Sequence, residues 1–481
     1  MKQDSCQEKI AGRLFIYADL RLLSPLLIGQ GETYEEGGVD IKVLKDKEGS
    51  PYIPGTSLAG ILREKLAQYN NGKLMDYLFG SDEVDDSETA GCQSSINILD
   101  VPLQKAEIQV RDGIRIDTIT GVVAEHAKYD FEVVERGAGG KLTIEMILRN
   151  VHINAETGQI RDDIAQGLSM VAGVLQNGFE AGAKTTVGLG KIGCENIKLY
   201  YYDFHKKEAV KAWLTGAKQN PAKSEFLYQL PETKWEQDQE KMIVDVDLSL
   251  RSSLLVRNYV FKGQDKADKI SAIPMESKGE YLIPGTSVKG VLRNHAAYIL
   301  RRLGIAEEEA INMLDGLMGY MPKEGAGAEE KNTKIKSRFL VKEVIFSKKS
   351  QGISAFAQRR NRIDRFTNGT VDAALFATKP LWKNGNGAPV HVHFEIEQCN
   401  KNGNWEAGLA LFLLKDLCTG NIAIGGEKSI GRGTLQGEKA IIQFANKTWE
   451  LDGKGTAVQG DAAELERMAA NLIEKRQVKD L

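Results

Sequence analysis

Apolar residues follow two rhythms along most of the chain, one of period two and one near three and a half. The change from the first rhythm to the second falls in a stretch that occurs twice. YIPGTSLAGILREK, from Tyr52 to Lys65, returns as YLIPGTSVKGVLRN, from Tyr281 to Asn294. In each copy an extended apolar run meets Pro and Gly, then two hydroxyl residues, then apolar positions at helical spacing. That pattern predicts a strand or loop turning into a capped helix. Pro54 and Pro284 lie 230 residues apart, far beyond a solenoid period and suited to a duplicated domain. Gly60 matches Gly290, and Arg63 matches Arg293. Leu74 to Gly80 resembles Leu314 to Tyr320 in character, which predicts a second helical turn packed on the first in each copy.

Other elements repeat in the same order. Gly12 to Leu27 and Ile41 to Leu44 read as strands, joined by a Gly-rich polar connection from Gly29 to Asp40. Arg115-Ile116-Asp117 recurs as Arg362-Ile363-Asp364 at an offset of 247, each flanked by strand-like runs, as in an excursion inserted between sheet strands. The first unit finishes with an amphipathic helix from about Arg161 to Leu175 and the loop AGAKTTVGLGKIG. The second finishes with Leu411 to Leu417 and GNIAIGGEKSIGRGTLQG. Gly188 and Gly190 match Gly431 and Gly433 at an offset of 243. The expected architecture is α+β with two related units, 1–205 and 242–440, a polar linker over 206–241 and an extension over 441–481 whose end reads as a surface helix suited to docking on a neighbouring subunit.

Composition narrows the function classes. The 481 residues suffice for several domains, and 42% hydrophobic content supports ordinary cores. With 63 basic and 66 acidic residues the formal charge is −3, so any nucleic-acid surface is local. Five scattered cysteines form neither a disulfide framework nor a CxxC zinc pair, and no apolar run is long enough to cross a bilayer. A reducing cytoplasm fits these features.

Backbone amides at a helix N-terminus, with the hydroxyls of Thr56 and Ser57 or Thr286 and Ser287, offer donors to an anion such as a phosphate. The plain alternative is that the hydroxyls cap their helices. The Gly-rich loops offer further amides, with charge from Lys191, Lys428 and Arg432, although neither has Walker spacing. Arg63, Lys289 and Arg293 add charge near the repeated turns.

Together GGVD from Gly37 to Asp40, the IPGTSVKGVLR segment, the paired RxD excursions and the loop ending SIGRG resemble the Cas7 family, RNA-binding backbone subunits of type III CRISPR effector complexes, here fused in tandem. The likeness runs from about Arg13 to Gly437, and the first glycine loop departs from the pattern by losing one of its paired early glycines. It implies two ferredoxin-like cores with inserted thumbs, binding a CRISPR guide RNA and complementary target RNA beside other Cas7-like, Cas10-like and Cas5-like subunits. Binding through phosphates and duplex shape is then largely independent of sequence. The implied RNA-binding residues are Thr56, Ser57, Arg63, Arg115, Lys191, Thr286, Ser287, Lys289, Arg293, Arg362, Lys428 and Arg432. Asp40 falls in the connection that family members use to cleave target RNA, and Asp268 matches it in the second unit, with Asp265 as a neighbour. Each is expected to hold Mg²⁺ or another divalent cation that orients a nucleophile and stabilises charge on the phosphate.

Other classes remain in view. A scaffold with neither aspartate active, a guide-RNA processing endonuclease using a histidine, and a two-domain metabolic enzyme binding a phosphorylated small molecule each fit part of the pattern. None of the six histidines belongs to a duplicated motif or makes a recognised zinc spacing.

Overall fold

The computed structural model describes residues 9–32, 38–67, 73–80, 93–116, 123–216, 224–230, 240–259, 270–322, 333–346, 352–372, 374–385 and 390–475. Two compact units emerge, one of residues 1–113, 128–185 and 189–236 and the other of residues 114–127, 186–188 and 237–481.

In the first unit, β1 (Ile10–Leu22) alternates Leu14, Ile16, Ala18 and Leu20 onto one buried face, as period-two patterning requires. It pairs antiparallel with Lys191–Asp203 on one side and Gly139–Arg149 on the other, and Ile96–Ile98 adds to the outer edge of the latter. The helices α1 (Gly55–Ala67) and α2 (Asp162–Asn177) contribute to the same core. Leu58, Leu62 and Leu66 recur every four residues along α1 and are all buried, each side chain contributing roughly 1.5–3 kcal/mol of transfer free energy.

In the second unit, β2 (Met242–Leu250) shows unbroken alternation, with Met242, Val244, Val246, Leu248 and Leu250 buried. Its neighbours are Val390–Ile396 and Leu435–Phe444, with Phe339–Val341 beyond the former. The helices α3 (Gly285–Arg302) and α4 (Trp405–Thr419) pack into that core. Both units therefore share a β-α-β-β-α-β order in which the last strand lies beside the first, and these are two ferredoxin-like cores.

The outer faces of the two sheets differ. In the first unit Phe15, Tyr200 and Tyr202 are buried beneath a cover that includes Ala209 and Trp213 of the helix Lys207–Leu214, together with Phe226. The described part of the polar interval 206–241 thus packs on the first unit through Ala209, Trp213 and Phe226. In the second unit the equivalent face is polar, where His391 bonds Asp245 and Asp247 and His393 bonds Asp245. The C-terminal helix Ala462–Ile473 packs on α4, burying Leu465 and Leu472. Gly408 makes that approach possible, since a Cβ there would lie 2.5 Å from the Met468 carbonyl oxygen.

Candidate nucleic-acid interface

The two glycine loops are built on one backbone plan. In the first, Ala181 N donates to Gly190 O at 2.9 Å, Ala183 N to Leu27 O at 2.7 Å and Gly190 N to Pro25 O at 2.7 Å. In the second, Ile424 N donates to Gly433 O at 2.9 Å, Gly426 N to Leu255 O at 2.8 Å and Gly433 N to Ser253 O at 2.7 Å. Left-handed residues recur in register, with Gly190 and Gly433 both at φ 78° and the non-glycine pair Lys184 and Glu427 at 61° and 58°. A Cβ on Gly190 would come within 1.9 Å of the Ala181 oxygen, and one on Gly433 within 2.0 Å of the Ile424 oxygen. These glycines are dictated by both conformation and space, so the loop shape is rigidly encoded.

The charges around the loops are placed unequally. Lys191 is half-buried and its backbone N donates to Ser24 Oγ at 2.8 Å. Lys428 is exposed, whereas Arg432 is only 2% exposed and ion-paired to Glu427. Arg257 and Arg360 converge on the same carboxylate. Sequence reasoning missed Arg257, Arg360 and Glu427. The signal for Glu427 was its position between Gly425 and Gly431, which match Gly182 and Gly188 at the offset of 243, while the two arginines come from strands distant in sequence.

The repeated turns behave differently from a simple hydroxyl cap. Pro54 O accepts from Ser57 N at 3.1 Å and Leu58 N at 3.2 Å, and Gly55 N donates to Asp100 Oδ1 at 2.8 Å. An internal carboxylate therefore already occupies the first amide of α1, which weakens this turn as an anion site. Thr56, Gly60 and Arg63 form an exposed stripe along α1, and Ser57 is half-buried. At the second turn Pro284 is the N-cap and makes no side-chain cap bond, and Thr286 and Ser287 are half-buried. Lys289 donates to Ser337 Oγ at 2.6 Å, and burial together with the nearby Arg293 charge pulls its pKa down to about 7. Arg293 is ion-paired to Asp315 and donates to Gly319 O at 3.1 Å. Both side chains thus hold the fold of the second unit together.

The second RxD excursion ends in an ordered turn. Asp364 Oδ1 accepts from Phe366 N at 3.0 Å and Thr367 N at 2.8 Å, so the aspartate builds the turn. Those hydrogen bonds hold its carboxyl below the usual range. Arg362 is exposed on this turn, and Phe366, directly after Arg365, is 96% exposed, a residue sequence reasoning passed over. Arg115 is the last residue but one of the strand Ile108–Ile116, but its side chain and all of Asp117 lie outside the described residues.

Asp40 is exposed, and its Oδ2 accepts from Asp130 N at 2.7 Å. That bond ties the connection to the strand Val123–Val134 beside the parallel bridge from Ile41 to Phe131. Asp130 titrates above the ordinary carboxyl range because burial, hydrogen bonding with Asp112 and the negative charges of Asp112 and Asp40 outweigh the pull of Lys128. The neighbourhood is therefore electronegative. Asp265 and Asp268 lie outside the described residues. Among the described residues no group of three or more His, Cys, Asp or Glu side chains is arranged to hold a metal.

Two ferredoxin-like cores in series, each closed by a glycine loop in the same left-handed register, define a duplicated protein of the RNA-recognition-like class. Residues 19–193 and 259–436 match the RAMP superfamily. The two matches cover most of the chain, and the chain belongs to that superfamily, in tandem. Proteins of the superfamily are associated with CRISPR effector complexes and RNA binding. No curated protein matches the chain. No described helix is long and apolar enough to cross a membrane.

Proposed function

We propose that the chain is a tandem Cas7-like backbone subunit of a type III CRISPR effector, which holds a guide RNA and cleaves complementary target RNA in the cytoplasm beside Cas10-like and Cas5-like partners. The observation that carries this reading is the exact-register repetition of the glycine loop at the end of each family-matched core. Rigid loops carrying amides and cations suit an RNA backbone, which presents one phosphate per nucleotide whatever the sequence. Phe366, which follows Arg365 and whose backbone is fixed by the Asp364 turn, offers an exposed apolar face for stacking on a base.

For cleavage, Asp40 in the first unit and Asp268 in the second are the acidic groups. A divalent cation would supply charge stabilisation at the scissile phosphate and lower the cost of activating the nucleophile. Asp40 fits as a single ligand in an electronegative neighbourhood, the RNA itself and water completing the shell. The chain's own contribution is positioning, with Asp130 N fixing the Asp40 carboxylate and the glycine loops fixing the guide strand.

A second reading, a non-cleaving RNA scaffold, is favoured by one observation, the bond from Asp130 N that gives Asp40 a structural task. The products cut by complexes carrying D40N, D268N or both, with guide and target binding measured in parallel, separate the two. Each single variant is expected to lose one distinct product while keeping both RNAs bound. An unchanged ladder in the double variant leaves the scaffold.

A further inference from the structure

The glycine loop of the second unit carries a cluster of side chains that the first unit lacks. Glu427 Oε1 accepts from Arg360 Nη2 at 2.6 Å and from Arg257 Nη2 at 3.0 Å. Arg432 Nε lies 2.8 Å from Oε2, an ion pair set off the line of a hydrogen bond. Three guanidinium groups thus share one carboxylate, and the cluster keeps an excess of positive charge. Arg432 also donates to Gln358, and Arg360 lies 4.9 Å from the centre of the Phe376 ring, so both are fixed from a second side. Burial disfavours ionisation of Glu427, but the Arg360 bond and the fields of Arg360, Arg432 and Arg257 overcome it and hold the carboxyl below its ordinary range.

Two charged donors in this cluster are unspent. Arg432 Nη1 and Arg360 Nε are buried without a hydrogen-bond partner, and the Arg432 side chain is 3% exposed. A buried charged donor left without an acceptor is costly, and an oxyanion that reaches it recovers that cost. Guanidinium forks match the tetrahedral oxygens of a phosphate.

The corresponding positions of the first unit hold none of these groups. Glu427 corresponds to Lys184, whose Nζ donates to Tyr129 Oη at 2.6 Å and lies 4.7 Å from the Tyr129 ring centre. Arg432 corresponds to Leu189 by the shared glycine register, Arg257 to Gly29 by the matched bonds of Leu255 and Leu27, and Arg360 to Gly113 by the RxD offset. All three arginines are replaced by neutral residues, and the central carboxylate by a cation spent on an aromatic pair.

We propose that Arg257, Arg360 and Arg432 form a phosphate-binding site unique to the second unit, and that Glu427 is its positioning residue, holding three mutually repelling guanidinium groups in one fork. The occupant is a backbone phosphate of the bound RNA, an assignment that rests on the RNA-binding reading above. One RNA strand is then gripped tightly by the second unit and loosely by the first.

The test is E427Q, a near-isosteric change that adds one positive charge to the cluster. Were Glu427 only a counter-charge, its removal would tighten binding of every anion. As a positioning residue, its removal is expected to weaken binding of a labelled single-stranded RNA by about tenfold, the order of one charge-assisted hydrogen bond. R257A is expected to cost less in the E427Q background than alone, since the two residues act through one arrangement. Equal or tighter RNA binding by E427Q overturns the proposal while leaving the RNA reading intact. Inorganic tripolyphosphate provides an arm independent of RNA. It is expected to raise the melting temperature of the wild-type protein and to do so less for E427Q. A wild-type response to tripolyphosphate without RNA binding supports the site and removes RNA as its occupant, and no wild-type response to either probe overturns the site itself.

Discussion

D40N is expected to keep the protein folded and bound to RNA while losing the cleavage product made by the first unit. Asp40 carries two tasks that a single alanine change would confound. Its Oδ2 accepts from Asp130 N, a bond that anchors the connection, and its charge is the proposed handle for a divalent cation. Asparagine keeps an acceptor oxygen for the amide and removes the charge. The loss of one preorganised charge-stabilising group typically costs about 100- to 1000-fold in rate, and that range is expected here for the affected product. Asp130 supplies a second mark of the change. Part of the push on its carboxyl above the ordinary range comes from the Asp40 charge, so in D40N that carboxyl should titrate lower, read by NMR across an acid titration. Cleavage that survives in D40N and fails in D40A would assign Asp40 to anchoring alone.

E406A should be the most destabilising single change in the second unit. Glu406 lies in α4 with no exposed surface, and it accepts from Arg338 Nη1 at 3.1 Å and from Asn400 N at 2.7 Å, with a second, shorter bond from Arg338 Nη2. Arg338 also donates to Gln398 O at 2.7 Å. Truncating the glutamate leaves the Arg338 guanidinium with carbonyl acceptors but no carboxylate, and the Asn400 amide without its acceptor, where the Arg338 side chain is only 12% exposed. Breaking one side of such a buried pair costs about 3–5 kcal/mol. In guanidinium chloride the unfolding of the second unit should move to lower concentration while that of the first unit stays in place, giving a resolved two-step curve. E406Q keeps the Asn400 bond and should lose less. A shift below about 1 kcal/mol in E406A would show that the pair is solvated in solution.

What could be seen in the sequence was whatever lies close along the chain. The PGTS turn, the helix that follows it and the glycines that require left-handed backbone all announce themselves over a dozen residues, and their repetition exposed the duplication. The ferredoxin-like cores were implied by the resemblance to the Cas7 family, not by any local pattern. The site needed contacts that no local pattern encodes. Arg257 and Glu427 are 170 residues apart and meet only because their segments share the loop scaffold. Asp100 fills the amide of Gly55 across 45 residues, and Asp130 holds Asp40 across 90, so both apparent free groups are engaged. Lys289 and Arg293 carry the charge expected of an RNA surface, but their partners Ser337 and Asp315 bind them to the interior of their own unit. One missed signal was available. Phe15 and Tyr17 interleave with Leu14 and Ile16, so β1 is apolar on both faces, and a strand of that kind requires a second cover, supplied here by the helix Lys207–Leu214.

The central claim, that both units of this RAMP chain act on an RNA backbone, is tested most directly by equilibrium binding of a labelled single-stranded RNA to the purified full chain across a series of salt concentrations. The prediction is tight binding whose logarithmic affinity falls linearly with the logarithm of salt, with a shallower slope in E427Q as fewer phosphates are contacted. Absence of binding at low salt, or binding indifferent to salt, would contradict it.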